Sequence, residues 1–366
     1  MAKTTFVAAG AKIKVIGLGG AGCNAVTRMV REQIRGVEFI AMNTDAQQLA
    51  LTEATVRLQL GEKITRGMGA GGDPATGQKS AEESRDIIKE TILGSDMVFI
   101  TAGMGGGTGT GSAPVVAEIA KATGALTIAI VTRPFSFEGK FRNKNAETGI
   151  DNLQDKVDTL VTIPNDRLLQ LVDQKMSVDV AFRKADEVLH QGVQAIAEVI
   201  TVPGLINLDF ADIRTIMKDA GPAWMSIGKG SGPNRAVDAA KQALASPLLD
   251  VSMEGAKGVL FNITGGDNLS LFEVNAAAEV IKQAVDPNAN VVFGVALDSN
   301  MNADIRLTLI ATGFMDARGV NSAAHEREIT KVLKTLKTEE QLDMPSFLRQ
   351  REIGAVRHQP VITGKI

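Results

Sequence analysis

Residues 103–114 read Gly-Met-Gly-Gly-Gly-Thr-Gly-Thr-Gly-Ser-Ala-Pro, between a short apolar run, Met97–Ile100, and an apolar helical pattern from Val115 to Ala120. The run reads as a buried strand ending in Thr101-Ala102. Pro114 suits the first turn of the following helix and Gly124 its stop. Without Cβ atoms, Gly103, Gly105, Gly106, Gly107, Gly109 and Gly111 let backbone N–H groups crowd around one anion. A helix behind them adds free amides and a positive dipole end. Strand, glycines, helix is phosphate-binding geometry. No Gly-Lys-Ser/Thr follows, so this is not a Walker A loop.

A second cradle lies upstream. Lys12–Ile16 is a strand candidate, followed by Gly17, Leu18, Gly19, Gly20, Ala21, Gly22, Cys23 and Asn24, then an amphipathic helix that Gly36 ends. Gly17, Gly19 and Gly22 satisfy the dinucleotide fingerprint, with Glu38 or Asp45 near the distance expected of a ribose-binding acid. Taken alone, this loop fits an NAD enzyme, another nucleotide site, or tight strand–helix packing. Two cradles, each between a strand and a helix, favour one nucleotide held by several loops of a single sheet. An oxidoreductase would leave the second glycine loop idle.

Strand candidates at Ile13–Ile16, Glu38–Asn43, Met97–Ile100, Thr127–Thr132 and Thr159–Ile163 alternate with helical or glycine-rich segments. That alternation predicts an α/β fold with a doubly wound, mostly parallel sheet and ligands at the strands' carboxyl ends. A long helix is expected from Ser177 to about Ile200, because Phe182, Ala185, Val188, Leu189, Val193, Ile196, Ala197 and Ile200 recur at helical spacing before Pro203-Gly204. A second, smaller α/β unit follows, with strand candidates Gly258–Thr264, Val291–Leu297 and Ile305–Thr312 and a helix near Leu271–Val285. With 366 residues, two domains and a tail are the natural expectation. A formal charge of −3 implies no basic face for nucleic acid. One cysteine excludes an intrachain disulfide and fits a reducing cytoplasm. The N-terminus lacks a signal-peptide stretch and no apolar run reaches membrane-spanning length, so membrane contact is expected to go through a partner. His190, His325 and His358 show no metal-ligand spacing, and no metal site is expected from side chains.

Gly105–Ser112, GGGTGTGS, resembles the signature of the tubulin and FtsZ superfamily of GTPases, and from about Ile13 to about Phe314 the chain is similar to the FtsZ family of cell-division GTPases. The resemblance implies GTP or GDP as ligand, with Mg²⁺ held through its phosphates. It implies a GTP-binding domain at 13–176 after an extension at 1–12, a connecting helix at 177–202 and an activation domain at 203–316. Gly19, Gly20, Ala21, Gly22, Cys23 and Asn24 match its first loop. Asn43 and Asp45 match its second, and Ala70, Gly71 and Gly72 a third that responds to the γ-phosphate. Gly103 to Gly111, with Thr108 and Thr110, match the phosphate signature. Pro134, Glu138 and Arg142 resemble the sugar-side segment, where Glu138 would accept from ribose hydroxyls and Arg142 offer a forked donor. Without the resemblance, Glu138 and Arg142 read as an exposed i,i+4 ion pair.

Guanine presents N1–H and N2–H donors side by side, which one carboxylate accepts together; adenine lacks that pair. Asp186 is similar to the family's guanine-reading acid, Phe182 would lie against the base, and Asn165 matches another base contact. Periodicity alone would make Phe182 a core residue and Asp186 a solvated helix position.

Asn207-Leu208-Asp209-Phe210-Ala211-Asp212 places two carboxylates three apart at the start of a helix ending near Ala220-Gly221-Pro222. Capping alone would select Asp209 at the N-cap and Asp212 at N3. The resemblance makes Asn207, Asp209 and Asp212 the loop that completes the active site of the next subunit, so that hydrolysis depends on head-to-tail assembly. A nucleotide-binding structural protein with little hydrolysis is the neighbouring alternative.

The tail from Ala317 to Ile366 has nine Lys/Arg against six Asp/Glu. Asp343–Arg351 resembles the family peptide that docks on membrane tethers and regulators: an apolar Met344, Phe347 and Leu348 with basic flanks. The resemblance thus implies a cytoplasmic protein at the division site beneath the membrane.

Overall fold

Runs of Ile, Val, Met and Phe bounded by glycines build the strands of this chain, and the computed structural model describes residues 10–169, 177–201, 209–246, 255–298 and 301–314. In chain order the first part contains β1 (Ile13–Leu18), α1 (Gly19–Arg31), β2 (Val37–Asn43), α2 (Ala46–Leu51), β3 (Val56–Gln59), α3 (Glu62–Thr65), α4 (Pro74–Glu83) and α5 (Arg85–Ile92). It continues with β4 (Met97–Gly103), α6 (Thr108–Ala122), β5 (Leu126–Arg133), α7 (Lys140–Gln154), β6 (Thr159–Pro164) and α8 (Asn165–Leu168). The long helix α9 (Val178–Thr201) leads to α10 (Phe210–Met217), β7 (Gly221–Gly230), α11 (Arg235–Leu244), β8 (Gly258–Gly265), α12 (Leu271–Ala284), β9 (Asn290–Leu297) and β10 (Ile305–Thr312).

Among the described residues, ten strands form one sheet in the order β3-β2-β1-β4-β5-β6-β7-β10-β8-β9. The first six are parallel, so helices must cross between them, and they cover both faces. Ile13, Val15, Phe99 and Ile128 pack with Val26 of α1 and Leu189, Val193 and Ile196 of α9. Ile16, Ile100 and Val131 pack on the other face with Ile88 of α5, Val116 of α6 and Ile150 of α7. The winding reverses between β1 and β4, which places a ligand crevice beyond their carboxyl ends.

Two strands escape the sequence pattern. β3 is only four residues long, and β7 has no strand expectation: it starts at Gly221, where the preceding helix is expected to end, while α10 stops at Met217. Gly228 and Gly230 in β7 look like loop residues, but a Cβ on either would strike the backbone of α11. They are close-approach glycines within a strand. β7 also joins the two halves: Gly221–Ala223 pair with β6, and Trp224–Gly230 pair with β10.

In the second half, Arg235 is buried and its guanidinium donates to both oxygens of Glu273 and to the carbonyls of Ala303 and Asn268. The pair holds the Glu273 carboxyl down to about 2. Arg235→Ala would leave that carboxylate without its cation, and the expected cost is about 3 kcal/mol. Urea unfolding at pH 7 checks this as a lower midpoint at unchanged slope.

The described residues up to Phe314 form one compact unit. None of their helices is long and apolar enough to cross a membrane. Asn207, the extension at 1–9 and the whole tail including Asp343–Arg351 lie outside the described residues.

Candidate functional site

A cavity of about 420 Å³ opens at the carboxyl ends of β1, β2, β4, β5 and β6. Its floor is made by two helix starts. Helices α1 and α6 both aim their N-termini at it, and neither has a side-chain cap. The adjacent helices differ: Asp45 accepts from the amides of Gln47 and Gln48 at the start of α2, and Asp73 from those of Ala75 and Thr76 at the start of α4. Two uncapped N-termini converging on one cavity form an anion site. Asp45 and Asp73 are already committed as caps.

The glycines divide into two kinds. Gly19 turns the chain from β1 into α1 with φ +66°, where a Cβ would also come 2.9 Å from the Gly109 nitrogen. Gly20, Ala21, Gly103, Gly106, Gly107, Thr108 and Gly109 line the cavity with it. A Cβ on Gly106 would find nothing nearer than Arg142 Nη2 at 4.0 Å, so this position faces open space. Gly17 and Gly22 instead face each other's backbone, and a Cβ on Gly22 would strike the Thr101 carbonyl. Gly111 is pressed in the same way against the Pro74 carbonyl of α4.

One expectation about the following helix is corrected. α6 begins at Thr108, so Pro114 lies inside the helix rather than in its first turn, where it withholds an N–H from the Thr110 carbonyl. Gly22, Cys23, Asn24, Gly105, Thr110 and Gly111 are not on the cavity wall. Gly22 and Gly111 serve helix packing. Cys23 is buried against Ala41 and Leu49, where burial pushes its thiol up to about 12. Asn24 is exposed and lines an open groove that adjoins the cavity at Gln48 and Asp186. Gly105 and Thr110 shape the loop from behind: the Gly105 amide donates to Thr110 Oγ1 at 2.8 Å. Glu38 sits at the amino end of β2, 3.3 Å from Lys14 and away from the cavity.

Further round the wall come Asn43, Asp45, Ala70, Gly71 and Gly72. The hydroxyls of Thr44 and Thr108 are 2.6 Å apart and tie the loop after β2 to the start of α6. Pro134, Glu138 and Arg142 also line the cavity. The ion pair that spacing suggests is present, with Arg142 Nη1 2.8 Å from Glu138 Oε2. Glu138 Oε1 also accepts from the Phe135 amide at 2.8 Å, so both oxygens of its carboxylate are held in place.

Asn165, Phe182 and Asp186 close the other end. Phe182 is 40% exposed, so it is no core residue, and its ring stands edge-on to Phe135 at 5.4 Å. Asn165 is buried, yet its Oδ1 accepts no hydrogen bond among the described residues. An orphaned acceptor here fits a ligand carrying N–H donors. Burial pushes the Asp186 carboxyl up to about 7, against the pull of the Arg28 charge.

Sequence reasoning missed Gln48, Met68 and Thr132, which also line the cavity. Thr132 lies near the carboxyl end of β5, where the doubly wound topology would have directed a search. Gln48 comes within reach only because α2 turns back after Asp45, where its Oε1 accepts from Asn43 Nδ2 at 3.1 Å. Met68, at the rim, had no sequence signal.

Asp209 and Asp212 do not line the cavity. Both are exposed at the start of α10. Asp209 occupies the N-cap position but makes no side-chain cap bond, and neither carboxylate has an ion pair among the described residues. The last turn of α10 is fastened at the amino-terminal edge of the sheet. There the Thr159 hydroxyl, on the first residue of β6, donates to the Met217 carbonyl, and Ile216 lies against Gly258, the first residue of β8. That edge is opposite the cavity. Among the described residues no group of three or more His, Cys, Asp or Glu is placed to hold a metal ion.

Comparison with known proteins gives two family matches: the GTPase domain of the Tubulin/FtsZ family over residues 12–173, and the FtsZ-family C-terminal domain over residues 221–315. Among solved structures, an empty FtsZ dimer from M. jannaschii is 49% identical over 83% of this chain and 88% of its own, with TM-score 0.81. A point mutant of FtsZ from the same organism is 48% identical over 83% and 92%, also at 0.81. The CetZ2 protein of Haloferax volcanii, solved as a GTPγS-bound protofilament, is 19% identical over 90% and 99%, with TM-score 0.71, and shares the fold.

Proposed function

The chain belongs to the tubulin/FtsZ family of GTPases, and from that premise we propose that it binds GTP in the cavity and hydrolyses it only when a second copy supplies carboxylates. The observation that carries this reading is the separation of Asp209 and Asp212 from the cavity, on a helix anchored at the opposite edge of the sheet. A surface that needs a different surface of its own copy makes a heterologous contact, and such contacts extend into filaments. The empty FtsZ dimer among its structural relatives agrees with self-association.

The uncapped amides of α1 and α6 hold the phosphates, and Gly106 leaves room for them. Asp186 accepts the paired donors of guanine, Asn165 Oδ1 takes a further N–H, and Phe182 packs on the base. Arg142 and Glu138 hold the sugar side. When bound, Mg²⁺ neutralises phosphate charge, and it would be held through the nucleotide. Asp209 and Asp212 of the neighbouring copy, with Asn207, orient the attacking water and accept its proton. Residues 13–176 act as the nucleotide domain, 177–202 as the connecting helix and 203–316 as the activating domain. The filaments would form the cytoplasmic division ring, tethered beneath the membrane through Asp343–Arg351.

Phosphate release per subunit, measured against protein concentration at saturating GTP, tests this. It should be near zero at high dilution and rise above a threshold. Turnover independent of concentration would sink the shared site.

A further inference from the structure

Gln48 and Asp186 are the two residues that line both the nucleotide cavity and a second, open groove of about 740 Å³ between α1, α2 and α9. Asp186 therefore borders the nucleotide cavity on one side and this groove on the other. Its side chain accepts no hydrogen bond from the described residues, so nothing in direct contact decides whether it carries a proton. Arg28 of α1 lines the groove. Its Nη1 donates to the Arg183 carbonyl at 3.1 Å, which fixes it to the turn of α9 that carries Asp186. Its Nε donates to Glu32 at 2.9 Å, and Glu32 in turn lies 3.1 Å from His190 Nε2, one turn beyond Asp186.

The other charges nearby are committed elsewhere. On α9, Arg183 pairs with Asp179 and Lys184 with Glu187. On α1, Arg31 pairs with Glu53. Across the cavity Arg142 pairs with Glu138, and Asp45 caps α2. The charge that bears on Asp186 is that of Arg28.

The protonation of this carboxyl changes what it recognises. An ionised carboxylate is an acceptor only and matches the two adjacent donors of guanine. A neutral carboxylic acid offers one O–H donor beside one acceptor, and that pattern matches adenine, whose N1 accepts while N6–H donates. We infer that Arg28, which stands outside the nucleotide cavity, is a specificity-determining residue: its charge keeps Asp186 in the acceptor-only form that selects guanine over adenine. Arg28 is a positioning residue, acting through Asp186. The inference rests on the proposal that Asp186 reads the base.

The test is calorimetric titration of nucleotide-free protein with GDP and with ADP from pH 5.5 to pH 9. In the wild type the preference for GDP should rise with pH through neutrality, because ionisation of Asp186 favours one nucleotide and disfavours the other. In Arg28→Gln, an upward move of the carboxyl by about one pH unit would lower the GDP-to-ADP preference at pH 7.5 roughly tenfold, about threefold from each nucleotide. GDP affinities of the two proteins should converge near pH 9 and ADP affinities near pH 5.5. Arg28→Lys, which retains the charge but not the fork, should restore the wild-type profiles. Glu32→Gln, which frees the guanidinium of its counter-ion, should shift both profiles toward lower pH and remains informative should Arg28→Gln fold poorly. Equal losses for both nucleotides at every pH would make Arg28 a structural residue and overturn the inference. So would superimposable profiles, or a Glu32→Gln shift toward higher pH. If Asp186→Ala binds GDP as the wild type does, the base reading itself falls. If Asp186→Ala is defective while Arg28→Gln is unaltered, only the present inference falls.

Discussion

Asp212→Asn is expected to bind GTP within about twofold of wild type and to hydrolyse it roughly 10²- to 10⁴-fold more slowly. The carboxylate is outside the cavity, so binding has no reason to change. It is exposed and unpaired among the described residues, so stability should move by less than about 1 kcal/mol. A helix-capping role makes the opposite forecast: a measurable loss of stability with hydrolysis barely altered. The absence of a side-chain cap bond from Asp209 already weighs against capping as the reason for these carboxylates. The shared site demands more, because the defective carboxylate and the bound nucleotide belong to different copies. Mixing Asp212→Asn protein with a variant that cannot bind GTP should restore hydrolysis, since mutant-bound GTP then meets an intact Asp212. Sedimentation must first establish that the two co-assemble. Confirmed mixed filaments without recovered phosphate release would exclude a site shared between copies.

Gly106→Val is the partner for that experiment, and the second large effect expected. A Cβ at Gly106 meets no protein atom within 4 Å other than Arg142 Nη2 at that limit, so the variant should fold with a near-native melting temperature. Its added methyls would enter the space proposed for the phosphates. Losing two or so charge-assisted amide contacts weakens GTP binding by roughly 10²- to 10⁴-fold. Gly111→Val, five residues on in the same motif, should behave in the reverse way. Its Cβ would strike the Pro74 carbonyl, forcing α4 off α6, so the protein should be grossly destabilised before any question of binding arises. Melting curves and GTP titrations of the two variants separate cradle from packing. Normal GTP affinity in folded Gly106→Val would show that this loop does not hold the phosphates.

That contrast between two glycines marks the limit of what residue order conveys. Gly106 and Gly111 are indistinguishable in a run of glycines, because the property that separates them is which atoms lie opposite the missing Cβ. Those atoms come from α4 and α7, far along the chain. The same holds for Gly17 and Gly22, which complete a fingerprint for dinucleotides yet serve the seating of α1 on β1. Cys23 and Asn24 follow in the same loop motif, yet in the first turn of α1 Cys23 is buried against Ala41 and Leu49 while Asn24 is exposed in the groove beside the cavity.

By itself, the sequence determined the parallel α/β core and pointed to two loops between strand and helix as anion cradles. Apolar runs, glycines and helical periodicity are local signals, and their physical cause acts within a few residues. It also carried the long helix with Phe182 and Asp186, and the pair Asp209 and Asp212. Tertiary structure alone decided that β7 welds both halves into one sheet, because a glycine-rich strand is recognisable only when α11 packs on it. It decided that α1 and α6 meet uncapped at one cavity while Asp45 and Asp73 cap their neighbours. And it decided that Arg28 stands behind Asp186, because the field a buried carboxyl feels is set by charges near in space, wherever they lie in the chain.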